Sequence, residues 1–294
     1  MSNPYRIEGP ALISFSGGRT SGYMLWHVLD AYDGKLPDEI HVCFANTGKE
    51  REETLRFVHE CGSRWGANIR WLEWLDRPKG KEGRATPISE RYAEVGYNSA
   101  SRNGEPFKAL CDRKGYLPNA VTRFCTQELK IQVMKWFMQS HGYKKWTNMI
   151  GLRGDEMHRV FKAINANENG TQPWINKMPM ATHAAGMVRQ RDVNEFWAKQ
   201  GFDLGLKPHE GNCDLCFLKS RAKLIDILRK DPSLVTWWAE AEAEARASKP
   251  TGATFNKERK YVDLLNEMQS SPLLPIDFED DHDAECGLWC GGEE

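Results

Sequence analysis

Short apolar runs alternate with longer segments of helical periodicity through the first half of this chain, and no other feature restricts its fold so strongly. ALISF (11–15), EIHVCFA (39–45), NIRWLEWL (68–75) and KWTNMIGL (145–152) read as strands. Segments at about 19–30, 50–65 and 126–139 read as helices; in the last, Leu129, Val133, Trp136 and Phe137 recur at the spacing of one helix face. Strand and helix in alternation predict an α/β fold: a mostly parallel twisted sheet flanked by helices. Between Asp76 and about Pro106 lies a polar stretch too long for a routine connection, expected to be an insertion or lid. Its Arg77, Lys79, Lys81 and Arg84 are expected to keep a loop soluble. Further on, Asp192 predicts an N-cap for VNEFWAKQ, and Gly201 a left-handed C-cap. From about Lys219 the chain reads as helical and Trp-rich, with AEAEAEARAS (239–248) as a solvated helix face. The expected division is an α/β domain over 1–205 and a cysteine-bearing helical extension over 206–294, ending in a loose tail.

Charge and apolar content narrow the function classes. The 294 residues carry a formal net charge of -1, which supplies no broad electrostatic footprint for DNA or RNA. No apolar stretch reaches bilayer-spanning length, and MSNPYRIEGP lacks the apolar centre of a signal peptide, so a soluble cytoplasmic protein without a membrane partner is expected. Self-association into a homo-oligomer stays open. In that compartment the eight cysteines are expected to be reduced. Cys43 and Cys61 fall inside apolar patterns and read as core.

SFSGGRTSGYML (14–25) sits between the first strand and its helix. Gly17 and Gly18 let backbone N–H groups approach an anion, and the helix that follows offers unpaired N–H groups at its positive end. Ser14, Ser16, Thr20 and Ser21 add hydroxyls, and Arg19 a charge-assisted contact. The same residues also suit a plain tight turn. Neither the Walker loop nor the dinucleotide GxGxxG pattern is present.

The loop resembles the SGGxDS loop of the PP-loop, or adenine nucleotide α-hydrolase, superfamily. Thr20 stands where ATP-cleaving members carry Asp, and the sulfonucleotide reductases also lack that acid. FANTGKEREETLRFV (44–58) resembles the Asp/Asn-Thr-Gly segment and helix of the phosphoadenosine phosphosulfate (PAPS) reductases, and GLRGDEMHR (151–159) their Gly-Leu-Arg segment. The resemblance implies nucleotide binding by Asn46, Thr47 and Gly48, with Arg153 on sulfate or phosphate. Strand ends are also where open α/β sheets bind ligands.

RFCTQELK (123–130) resembles the segment of the adenosine phosphosulfate (APS) reductases that carries paired cysteines and a Lys-bearing helix start; here Phe124 takes one position and Cys125 the other. NCDLCFLKS (212–220) resembles their second pair, and two thiolates at that spacing can bind one metal or cluster. The resemblance implies a [4Fe-4S] cluster on Cys125, Cys213, Cys216 and a fourth ligand, with Cys111 the candidate and Cys290 second choice; structural zinc fits the same count. ECGLWC (285–290) resembles the Glu-Cys-Gly-Leu-His ending that carries the nucleophilic cysteine of both reductases, with Trp289 in place of the His. An unperturbed thiol is only about 3% ionised at pH 7, so Cys286 would need nearby positive charge, for which Arg19 and Arg153 are candidates.

The implied activity is reduction of an adenylylated sulfate, PAPS or APS, to sulfite through an S-sulfo intermediate on Cys286, with thioredoxin or glutaredoxin as reductant. Cys290 is an alternative, internal resolving thiol. Two other readings stay open: an ATP-dependent PP-loop enzyme activating a substrate for sulfur transfer or ligation, and a non-enzymatic nucleotide-binding module.

Overall fold

The computed structural model describes residues 3–76, 86–248 and 253–270, apart from the side chain of Gln269. The alternation in the sequence becomes a six-stranded sheet. β1 (Ala11–Ser14) leads through α1 (Arg19–Ala31) to β2 (Ile40–Asn46), then through α2 (Glu52–Trp65) to β3 (Ile69–Trp74). β4 (Tyr92–Val95) pairs antiparallel with β3 and forms one edge. α3 (Glu105–Lys114) and a continuous helical run follow: α4 (Phe124–Thr126), a π segment (Gln127–Gln132) and α5 (Val133–Ser140). The chain then returns to the middle of the sheet as β5 (Trp146–Ile150) and continues through α6 (Met157–Asn169) to β6 (Trp174–Lys177). The strand order is β4-β3-β2-β1-β5-β6, with all pairs but β3–β4 parallel. The sequence expectation of a mostly parallel sheet flanked by helices therefore holds.

β1 is buried along its whole length, as a central parallel strand must be. Alternate residues feed two cores. Ile13, Val42, Phe44 and Met149 meet α1, α2 and α7 (Gln190–Trp197) on one face. Leu12, Cys43, Leu72 and Trp146 meet α3, α5, α8 (Arg221–Lys230), α9 (Val235–Ser248) and α10 (Tyr261–Ser270) on the other. The C-terminal helices thus share a core with the sheet. Cys43 and Cys61 are fully buried, as their apolar settings imply.

Several local expectations need correction. The stretch 76–106 is not all loop: β4 lies within it, and Glu73 at the end of β3 anchors its return by accepting from the backbone N–H and the hydroxyl of Ser101, each at 2.7 Å. Residues 77–85, with Arg77, Lys79, Lys81 and Arg84, lie outside the described residues. Asp192 is the third residue of α7, accepting from the Arg189 N–H at 2.7 Å as the acid of a capping box. Gly201 caps nothing, because α7 ends at Trp197 and its C-cap is Ala198. The face of α9 is not wholly solvated either: Glu242 is buried and accepts from the backbone N–H groups of Phe255 and Tyr261 at 3.2 and 3.0 Å. Its carboxyl is raised above the usual range by burial.

The edge strand β6 is protected by a side chain. Asn167 of α6 donates to the Asn176 carbonyl at 2.9 Å and accepts its N–H at 2.7 Å, taking the place of a neighbouring strand. Among the described residues, no helix is long and apolar enough to cross a membrane.

Candidate nucleotide cleft and cysteine turn

β1 is flanked by β2 on one side and β5 on the other, while the chain runs from β1 to β2 and only later back to β5. The strand order reverses there, and a crevice opens outside the carboxyl ends of such strands. Residues 15–18 turn from β1 into α1 at the mouth of that crevice. Gly17 has φ +80°, and a Cβ there would lie 2.7 Å from Thr54 Cγ2. Gly18 has ordinary extended φ of -101°, and its Cβ would meet nothing nearer than Ser16 Oγ at 3.7 Å. The left-handed position is therefore Gly17, and the open one is Gly18. Ser21 holds the turn closed: its hydroxyl lies 2.9 Å from that of Ser16, accepts the Ser16 N–H at 3.2 Å and donates to the Gly18 carbonyl at 3.0 Å.

No side chain caps the start of α1, and its first turn has no acidic residue. Its leading N–H groups and positive dipole end lack the partners that helix starts usually recruit. The cleft in front of them is lined by Arg19, Arg159 and Lys207, together with Gln190, Asn212 and the loop itself, and no carboxylate is among the lining residues. Each of these cations has an acid behind it, Asp203 for Arg19, Glu156 for Arg159 and Asp226 for Lys207, so the helix-start amides are the groups of that wall best placed for an anion.

The two arginines expected to meet the anion both have protein partners. Arg19 grips Asp203 with two bonds, one from Nε at 2.7 Å, and donates to the Leu206 carbonyl at 2.8 Å. Asp203 is held below the usual carboxylate range: burial raises it, and the hydrogen bond and charge of Arg19 outweigh that. Arg153, at the end of β5, is only 4% exposed. It donates to Thr20 Oγ1 at 3.0 Å and to Asp155 at 2.9 Å, and lies 3.5 Å from Glu156. It ties the β5 end to the loop, where Gly151 also approaches Ser21 so closely that a Cβ would lie 3.1 Å from the Ser21 Cα. Ser14 lines the cleft, and its hydroxyl donates to Asn148 at 2.8 Å.

Asn46, Thr47 and Gly48 stand at the end of β2, buried and not among the residues of the cleft wall, and Thr47 meets the cysteine turn. Asn46 donates to Glu73 at 2.6 Å and to the Ser101 carbonyl at 2.9 Å. Gly48, at φ +78°, accepts the Gly104 N–H at 2.8 Å. The Thr47 hydroxyl lies 3.6 Å from Cys213 Sγ, and Glu50 forms an antiparallel bridge with Cys213. Cys213 and Cys216 open and close one tight turn, the Cys216 N–H donating to the Cys213 carbonyl at 3.3 Å. Gly211 and Asn212, just before that turn, line the cleft, so the two regions share a wall.

Buried charges surround this turn. Lys49 pairs with Asp214 at 2.9 Å, with both side chains at most 7% exposed, and lies over the Trp237 ring. Lys130, from the π segment, pairs with Glu50 at 3.3 Å. Lys219 is 2% exposed and donates to the carbonyls of Gly211, Cys213 and Asp214 at 2.9, 2.7 and 3.0 Å. Burial lowers its ammonium below the usual range, with the neighbouring Cys216, Cys213 and Asp214 opposing. The Lys-bearing helix start of RFCTQELK was the signal for Lys130; Lys49, Asp214 and Lys219 were not read as site residues.

Cys111 on α3 and Cys125 on α4 belong to the same apolar cluster as Cys213 and Cys216. Burial pushes the Cys111 thiol up to about 12. Among the described residues, no three cysteines bring their sulfurs within 4.8 Å of one another. Tetrahedral zinc, with Zn–S of about 2.3 Å, would need sulfurs about 3.8 Å apart, so a zinc site is not preformed. Among the described residues, His209, Glu210 and Asp226 do bring their ligand atoms within 4.8 Å of one another. This group lies among cations: Lys230 bonds Glu210, and Lys207 lies 3.7 Å from Asp226, so it ties α8 to the loop before the turn. Cys286 and Cys290 lie outside the described residues.

No protein-family model matches this sequence. The chain is 28% identical over 214 residues to an uncharacterized nin region protein of Escherichia phage lambda, covering 72% of this chain and 67% of that one. It is 25% identical over 279 residues to an uncharacterized 37.8 kDa protein of Escherichia phage 186, covering 83% and 78%. An uncharacterized protein of Methanocaldococcus jannaschii is 23% identical over 245 residues, and there the match spans 81% of this chain but 42% of the relative.

Proposed function

We propose that this chain binds the anionic end of an adenine nucleotide over residues 16–21 and reduces an adenylylated sulfate, PAPS or APS, to sulfite in the cytoplasm. The observation that carries the reading is the uncapped start of α1, behind the open Gly18, facing a cleft with three cationic side chains and no carboxylate. Backbone amides and cations fixed in advance favour an anion that gains charge as it leaves, as AMP or adenosine 3′,5′-bisphosphate does. The Cys286 thiolate would attack the sulfate sulfur, forming an S–S bond as the bridging O–S bond breaks and the nucleotide departs with the electron pair. A thiolate of thioredoxin or glutaredoxin would then attack the Cys286 sulfur and release sulfite, and its second thiol would close a disulfide on the reductant and restore Cys286.

Two thiols on one turn, two more cysteines in the same apolar core and lysines beside the turn support a thiolate-bound centre. Cys111, Cys125, Cys213 and Cys216 would hold a [4Fe-4S] group, with zinc the alternative. Such a group would supply a fixed, charged centre beside the cleft and cross-link α3, α4 and the turn. Separate incubation with APS, PAPS and ATP, assaying sulfite and pyrophosphate, tests the reading. Sulfite from one sulfonucleotide, a sulfonate adduct on the Cys286 peptide without reductant, and loss of both in Cys286→Ser are expected. Pyrophosphate from ATP with an unmodified Cys286 would replace the reductase by an ATP-dependent activating enzyme.

A further inference from the structure

Not every buried lysine at the cysteine turn faces an acid. Lys49 is matched by Asp214, and Lys130 by Glu50. Glu242, a further buried acid, accepts from the N–H groups of Phe255 and Tyr261. Lys219 makes no ion pair among the described residues: its ammonium is caged by three backbone carbonyls of the loop that carries Cys213 and Cys216. Carbonyl dipoles satisfy the hydrogen-bonding capacity of an ammonium but do not cancel its charge, and an uncancelled charge held out of water is costly. A buried ammonium faced by carbonyls and by no carboxylate gains a counter-charge when negative charge arrives at the turn.

We infer that Lys219 is a positioning residue and fixed counter-charge for an anionic metal–thiolate centre on Cys213 and Cys216. The inference rests on the proposed cofactor and adds to it a residue outside the ligand set. The cage gives Lys219 two tasks. It draws the carbonyls of residues 211, 213 and 214 together, which fixes the turn; and it holds a positive charge inside the loop that carries both cysteines, which would stabilise them as coordinated thiolates. Attraction between charges is worth far more in a buried setting than at the surface.

The two tasks separate by substitution. Lys219→Gln keeps N–H donors for the carbonyls and removes the charge, whereas Lys219→Met removes both. Full-length protein, purified anaerobically, is compared for iron, zinc and acid-labile sulfide, for the rate of metal loss to a chelator, and for thermal unfolding with and without metal. The expected result is that both variants lose metal faster than wild type, by about tenfold or more. Lys219→Gln should also unfold at the same or a higher temperature than wild type once metal is stripped, because it no longer buries an unmatched cation. Opposite signs with and without metal are the mark of a counter-charge; a purely structural residue destabilises both forms. Metal loss in Lys219→Gln at the wild-type rate, with the wild type carrying metal, would overturn the inference and leave the cofactor standing. A wild type with neither stoichiometric iron nor zinc would overturn both. If Lys219→Met fails to fold, the Lys219→Gln comparison alone decides.

Discussion

The cleft at the end of β1 and the cysteine turn at the end of β2 lie side by side, sharing residues 211 and 212, yet they are built on opposite plans. The cleft is made of glycine, hydroxyls and helix-start amides, and it leaves binding capacity unspent: the first turn of α1 has no cap and no acid. The turn is buried and spends nearly everything internally, with Lys49 on Asp214, Lys130 on Glu50 and Lys219 on three carbonyls. A surface that waits for a mobile anion must stay open, whereas a surface that fixes a permanent centre must be rigid before that centre arrives. Substitutions in the two regions should therefore fail differently, the turn through stability and the cleft through affinity.

The largest effect is expected at the turn. Asp214→Asn leaves Lys49 as a second unmatched buried cation while preserving one acceptor for the Trp238 indole N–H, now bound to Asp214 Oδ1 at 2.8 Å. Breaking one partner of a buried pair costs about 3–5 kcal/mol. Urea unfolding of metal-free protein should show a loss of that size. A loss under about 1 kcal/mol would mean that water reaches the pair and that the turn is not the dry, rigid region described.

Within the cleft the two glycines should part company. Gly17→Ala forces a side chain into the left-handed region and its Cβ against Thr54, Phe44 and Val58 at 2.7–3.1 Å, so a loss of about 2–3 kcal/mol in folding stability is expected. Gly18→Val meets open space and an allowed φ. It should change stability by no more than about 1 kcal/mol, the scale of a helix-cap exchange, while calorimetry shows adenine nucleotide affinity falling by about tenfold or more, because the valine fills the anion's place. Unchanged affinity in Gly18→Val would remove the loop from the binding site.

How much of this was legible follows from what each residue does. Strands buried on both faces announce themselves as apolar runs, and the Gly-Gly turn was placeable because it directly follows one. β4 and β6 were not, being four-residue edge strands whose outward residues are exposed: Ile175 of β6 is 66% exposed, and the strand's free edge is satisfied by Asn167, a contact with no local pattern. On α6 the periodicity misleads, since Phe161 faces solvent at 57% exposure while Val160 and Ala163 are buried. The cleft was legible because backbone amides and glycines do its work, and their requirements are local. The polar frame of the turn was not, because a lysine reads as surface until a distant carboxylate or carbonyl is known. Lys49 meets Asp214 across 165 residues of chain. For the same reason Arg19 and Arg153 were expected to wait for substrate, and the structure gives each of them an acid.

That last point yields the smallest and most discriminating expectation. Arg19 lines the cleft but is held by Asp203, a pair with side chains 23% and 38% exposed. At that exposure the pair contributes less than about 1 kcal/mol. The Asp203 carboxyl lies below the usual range, so whatever stability it contributes is present above the unfolded-state value of about 3.9 and is lost as pH falls through the folded-state value. Asp203→Asn should therefore unfold slightly more easily than wild type near neutral pH, with the gap closing in acid below about pH 4. Its effect on binding has the opposite sign. With the competing carboxylate neutralised, Arg19 can offer its charge to the cleft, and nucleotide affinity should rise by about two- to threefold, more at low salt than at high. A fall in affinity instead would show that Asp203 does not compete with the ligand but aims Arg19 at it, which would move Arg19 from the wall of the cleft into the set of groups that grip the anion.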